Sequence, residues 1–173
     1  MESEDREKRE KGDETEKRFK EWLDKHSIPY LYIKQDTESI SSSIKRYFHG
    51  KRPDFMLLIP NLGFIFVDVK YKKLSKEYNS FPLDSKDTKQ LSSVQRSFNL
   101  QIWYSISNEE YGFNTWFWIP VSKVLEEGDI RNKNRVFKSG KSKEDFFAVP
   151  INKFIQISFN DSLDRLFSKI FIN

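Results

Sequence analysis

Residues 53–70 read PDFMLLIPNLGFIFVDVK, and this stretch decides the fold. Phe55–Ile59 and Phe64–Val67 are near-continuous apolar runs joined by Pro60-Asn61-Leu62-Gly63. That link turns readily, because proline presets φ while asparagine and glycine tolerate the left-handed region. The runs predict two antiparallel strands at the centre of a sheet, covered on both faces. Asp54 enters the first strand and Asp68 lies towards the end of the second. Antiparallel pairing sets the start of one strand beside the end of the next, so the two carboxylates converge. Asp68 and Lys70 are two residues apart on a strand and share a face. Charges that interrupt an apolar strand are expensive to bury without a partner, so this trio needs a reason.

Upstream, a helix is expected from Asp13, with Glu16, Phe19, Trp22 and Leu23 at helical spacing. Ser27-Ile28-Pro29 ends it, since the residue before proline avoids helical dihedrals. Residues 1–11, dense in both charges, are expected to be a frayed or flexible lead-in. Tyr30–Ile33 reads as a strand, and residues 35–52, serine-rich and basic, as a loop or irregular hairpin arm. Downstream, Leu91, Val94 and Phe98 predict a helix from Asp84, followed by strands over Leu100–Ile106 and Trp116–Ile119. Trp116 and Trp118 read as core. Val121–Glu127 suits a short helix, Arg131–Lys143 a basic loop, Phe146–Val149 and Phe154–Phe159 strands, and Ser162–Phe171 an amphipathic helix. The expectation is one α/β domain over 1–173. Its αβββαβ core, a central mixed sheet flanked by helices, spans about 12–120, with a C-terminal α+β extension over about 121–173.

The chain has 173 residues, of which 16 are Phe, 7 Tyr and 4 Trp, enough rings for a core without staples. It has no cysteine and only two histidines. Disulfides, thiolate zinc sites and a cysteine nucleophile are therefore excluded, and a metal would be held by carboxylates, which favours hard cations. The charged start, Met1 to Arg6, lacks the apolar stretch of a signal peptide, and no run approaches the roughly 18 apolar residues of a membrane span. An intracellular, cytoplasmic protein without a membrane partner is expected. Net charge is +4, and Lys45–Arg52 and Arg131–Lys143 contain no acid. Such stretches suit nucleic-acid phosphates, or simply solvated loops.

Pro53, Asp54, Asp68 and Lys70, set on strands in this order of elements, resemble the signature of the PD-(D/E)XK nuclease superfamily, over roughly Gly12 to Pro120. The resemblance implies a restriction-endonuclease-like fold and a metal-dependent nuclease that hydrolyses phosphodiester bonds, in DNA above all. It implies Asp54 and Asp68 as ligands of Mg2+ or Mn2+, with Lys70 positioning the nucleophilic water or stabilising charge in the transition state. Gly12-Asp13-Glu14-Thr15-Glu16 is similar to the glycine-then-glutamate spacing of many members and points to Glu16 as a further ligand; a boundary residue on a solvated helix face is the plainer reading. Leu91-Ser92-Ser93-Val94-Gln95 is similar to the Leu-Ser-x-x-Gln segment of the VRR-NUC branch and points to Gln95 in a supporting role, with Gln90 and Lys89 as rivals. Lys45, Arg46, Lys51 and Arg52 flank the motif as candidate nucleic-acid contacts, with His49 beside them. A homodimer would present two sites to the two strands of a duplex. The rival reading is a non-catalytic module of the same fold that binds nucleic acid or a protein, since function lives in the site. In the plainest reading of the acids, Asp54 caps a turn and Asp68–Lys70 is an edge-strand ion pair.

Overall fold

The structure, a computed structural model, describes residues 2–36, 38, 41–48, 51–59, 63–137 and 140–161. Its elements are α1 (Glu2–Lys25), β1 (Tyr30–Tyr32), α2 (Ser42–Phe48), β2 (Phe55–Ile59), β3 (Gly63–Tyr71), β4 (Ser80–Asp84), α3 (Ser85–Phe98), β5 (Ile102–Ser107), β6 (Thr115–Pro120), α4 (Val121–Glu127), β7 (Asp129–Phe137), β8 (Gly140–Pro150) and β9 (Ile155–Ser158). A central sheet runs in the order β1-β2-β3-β5-β6-β9. Among the described residues only β3 and β5 pair in parallel, with α3 in the connection between them. The αβββαβ core is therefore α1, β1, β2, β3, α3 and β5, a mixed sheet flanked by helices. No helix among the described residues is long and apolar enough to cross a membrane.

The sheet separates two apolar cores. On one face α1 lays Phe19, Trp22 and Leu23 against Phe55, Leu57, Val67, Val69, Trp116 and Trp118. Phe19 is the hub: its ring lies 5.1 Å from Phe55 and 4.8 Å from Trp116, both edge-on, the geometry that aromatic quadrupoles favour. On the other face Leu91 and Val94 of α3 and Val121 and Val124 of α4 cover Ile102, Tyr104, Ile106, Phe117 and Ile119. Every residue of β5 is buried, as a strand covered on both faces requires. α3 is capped at both ends. Asp84 accepts the Asp87 N–H at 2.8 Å, and Asn99 closes the helix in the left-handed region.

Several elements differ from the sequence expectation. α1 begins at Glu2, not Asp13: Arg6–Glu10 and Lys11–Glu7 are i,i+4 ion pairs that support a helix where apolar periodicity is missing. Residues 42–48, expected as loop, form α2, which packs on α3 with the Tyr47 and Phe98 rings 5.0 Å apart. β4 was not expected at all. Arg131–Lys143 is not a loop but most of the β7–β8 ribbon, which pairs from Asp129↔Ala148 to Phe137↔Gly140. Together with β4 this ribbon makes a second, three-stranded sheet. β4 pairs with β8 from Phe146 to Pro150, and the sequence of the outer ribbon, residues 132–145, carries no apolar alternation that would mark it as strands. β9 joins the central sheet beside β6. The expected turn at 60–62 and helix at 162–171 lie outside the described residues.

Candidate active site

Phe55 of β2 pairs with Val67 of β3, which sets Asp54 opposite Asp68. Asp54 is locked there: its N–H donates to the Val67 carbonyl at 2.9 Å, and its Oδ2 accepts the Val69 N–H at 2.7 Å. Its Oδ1 has a longer contact, accepting from the Gln35 amide at 3.3 Å. Asp68 is fully buried. Lys70 Nζ lies 2.6 Å from its Oδ2 and Lys51 Nζ 3.1 Å from its Oδ1. Among the described residues the carboxylate has no hydrogen-bond donor beyond these two ammonium groups. A buried carboxylate without them would carry a desolvation cost of several kcal/mol, on the order of the idealised penalty for a lone ion after relaxation.

A third carboxylate closes the cluster. Asp87, in the first turn of α3, stands 3.5 Å from Lys51 Nζ and 4.0 Å from Lys70 Nζ. Beneath it, the buried Tyr104 of β5, paired with Asp68 in the ladder, shares its hydroxyl with Thr88 at 3.1 Å.

The electrostatics follow from burial and from this crowding. Burial, and then the neighbouring Asp68 charge, push the Asp54 carboxyl up to about 8. Burial works against the Lys70 ammonium, but the adjoining Asp68 and Asp54 outweigh it and raise its pKa above the ordinary lysine value. Burial raises the Tyr104 hydroxyl as well, with Asp68 adding to it, so the phenol stays neutral.

Glu16 reaches the site from the other face of the sheet. It lies on α1, three residues before Phe19, and accepts the Tyr32 hydroxyl at 2.9 Å. Its charge is one of those that raise Asp54. Gln95 is elsewhere. It sits two turns along α3 from Asp87, accepts the Ile102 N–H at 3.3 Å, and lines a separate concavity with Trp103, Pro120 and Lys123. The helix that carries it contributes Asp87 to the charge cluster instead. Arg52 also departs from expectation: it is buried and donates to the Asp36 carbonyl at 2.8 Å, pinning the segment before α2. Arg46 is exposed on α2, which also contains Lys45, and His49 lies outside the described residues. Lys51 belongs to the carboxylate cluster itself.

No family model matches the chain, and no curated protein matches it. Two of the solved structures similar to it illustrate the likeness. One is Hjc, a Holliday junction resolvase from the hyperthermophilic archaeon Archaeoglobus fulgidus, 14% identical over 85% of this chain and 92% of that one, with a TM-score of 0.49. The other is D212 from a fusselovirus, 12% identical over 88% of this chain and 86% of that one, with a TM-score of 0.40. Both are nucleases. At these values the likeness says nothing of the chemistry of this chain, which rests on its own residues.

Those residues offer a hard donor set. Asp54 and Asp68 are buried, adjacent and mutually repelling, and a divalent cation relieves such repulsion. Among the described residues no three acid or imidazole side chains stand close enough to hold a metal alone. A cation here would take these two carboxylates, and water or substrate oxygens for the remainder.

Proposed function

We propose that this protein is a PD-(D/E)XK-type nuclease that hydrolyses phosphodiester bonds in DNA. The observation that carries the reading is the meeting of Asp54, Asp68 and Lys70 at one buried point of an αβββαβ core. Asp54 and Asp68 would hold Mg2+ or Mn2+, with Glu16 behind Asp54. When bound, such a cation polarises the phosphodiester and makes water a nucleophile near neutral pH. Lys70, kept protonated by Asp68, is placed to orient that water or to stabilise the charge that develops on the phosphoryl oxygens. Lys51 supplies a second cation against the substrate backbone. The β2–β3 ladder holds Asp54 by backbone hydrogen bonds, so its carboxylate is positioned before substrate arrives.

The test is cleavage of supercoiled, linear and single-stranded DNA with Mg2+, Mn2+ or EDTA, beside folded Asp68→Ala and Lys70→Ala proteins. Metal-dependent cutting, reduced at least about a hundred-fold in both variants, is the expected result. Full activity in a folded Asp68→Ala protein would sink the proposal. Tight DNA binding without cutting would assign the protein to the non-catalytic class.

A further inference from the structure

Asp87 is the member of the cluster to which the nuclease mechanism gives no part, and Lys51, its nearer ammonium partner, has one only against the substrate. Lys51 immediately precedes Arg52-Pro53-Asp54, and Asp87 comes from a different element, the first turn of α3. The two lysines share Asp68 unequally. Lys70 is on the same strand as Asp68, 2.6 Å from it and 4.0 Å from Asp87. Lys51 stands almost midway, 3.1 Å from Asp68 and 3.5 Å from Asp87. Each oxygen of Asp68 thus faces an ammonium group, and a divalent cation approaching this carboxylate is repelled by both. Lys51 is the one that can leave. The two side chains are about equally exposed and both have Asp87 within 4.0 Å, but Lys51 has the longer contact to Asp68, 3.1 Å against 2.6 Å, and the shorter one to Asp87, 3.5 Å against 4.0 Å.

We propose that Lys51 is a positioning residue that guards the carboxylate pair. In the cation-free protein its ammonium neutralises Asp68. When a divalent cation is bound by Asp54 and Asp68, it shifts to Asp87 and faces the phosphodiester. Asp87 is the acceptor that makes the exchange possible. The inference rests on the reading of Asp54 and Asp68 as the cation site, and it makes cation binding and substrate contact two positions of one side chain. Loss of a static positive charge would also tighten cation binding, so the exchange is distinguished by non-additivity: removing Asp87 has no further effect once Lys51 is gone, whereas static charges would add.

The experiment is calorimetric titration of Mn2+ into the full chain at fixed pH and low salt, with no nucleic acid present. Lys51→Gln, which removes the competing ammonium, is expected to bind Mn2+ about ten-fold more tightly than the wild type, the change that about 1.4 kcal/mol of relieved repulsion produces. Asp87→Asn, which removes the acceptor and leaves Lys51 on Asp68, is expected to bind several-fold more weakly. The double variant should behave as Lys51→Gln, and Lys51→Arg should return towards wild type. Circular dichroism establishes that each variant is folded; if Lys51→Gln is not, Lys51→Met takes its place. Unchanged or weakened Mn2+ affinity in the folded Lys51 variant overturns the inference, as does absence of Mn2+ binding in every variant. The nuclease reading is judged separately. Tighter Mn2+ binding in a protein that cuts no nucleic acid upholds the guard and rejects the nuclease. Metal-dependent cutting with no effect of Lys51→Gln on Mn2+ affinity does the reverse.

Discussion

Asp54 and Asp68 stand opposite each other across the β2–β3 ladder, yet only Asp68 is held by ammonium groups at salt-bridge distance. Asp54 is fixed instead by a backbone N–H, that of Val69. Buried beside a second carboxylate, Asp54 keeps its proton to higher pH than an ordinary aspartate.

A pH dependence of stability follows. In the unfolded chain Asp54 titrates near its ordinary value of 3.8, whereas in the fold it is pushed up to about 8 by burial and by Asp68, with Glu16 adding to this and Lys70 and Lys51 opposing it. The folded state therefore binds this proton more tightly. The stability it contributes is complete below about pH 4 and is lost as pH rises towards about 8. In cation-free protein, Asp54→Asn should raise the melting temperature relative to wild type by more at pH 8 than at pH 5. Added Mg2+ should stabilise the wild type and narrow that gap. A wild-type advantage that grows from pH 5 to pH 8 would contradict the assignment.

Gln95→Ala separates the structure from the motif. The side chain accepts the Ile102 N–H and does not join the carboxylate cluster. The variant is expected to lose about 1 kcal/mol of stability, the usual worth of such a bond, and to cleave at the wild-type rate. Urea unfolding and a single-turnover cleavage assay check the two halves. A large loss of activity at unchanged stability would restore Gln95 to the site.

Arg52→Gln makes the corresponding test for the basic segment. The guanidinium is buried and donates to the Asp36 carbonyl, so its loss should cost about 1–3 kcal/mol, the range for buried groups left unpaired. The slope of log affinity for duplex DNA against log salt reports phosphate contacts, falling by about 0.9 for each one lost. It should be unchanged in Arg52→Gln, as anisotropy titrations over a salt series would show.

Much of the core was legible in the sequence because strand side chains alternate with a period of two. That period alone sets Asp54, Asp68 and Lys70 on one face once the 60–63 link is read as a turn. Helical spacing likewise marks Phe19, Trp22 and Leu23 as the buried stripe of α1. Where the apolar pattern is weak, the reading failed. α2 and the outer part of the β7–β8 ribbon carry no stripe that a core would demand, and their form comes from packing on α3 and from strand pairing.

The membership of the site was decided by tertiary structure. Lys51 and Asp87 are 36 residues apart in number and belong to different elements, and no local period relates them. They meet because α3, capped by Asp84, places its first turn against the end of β3. The same placement carries Gln95 away, since two further turns of helix are about 11 Å of rise. The sequence by itself determined which strands carry the paired acids and the lysine, through a two-residue period that any buried sheet imposes. The docking of one helix end decided which further charges balance them, because burying an ion pair depends on distances between elements that no spacing along the chain encodes.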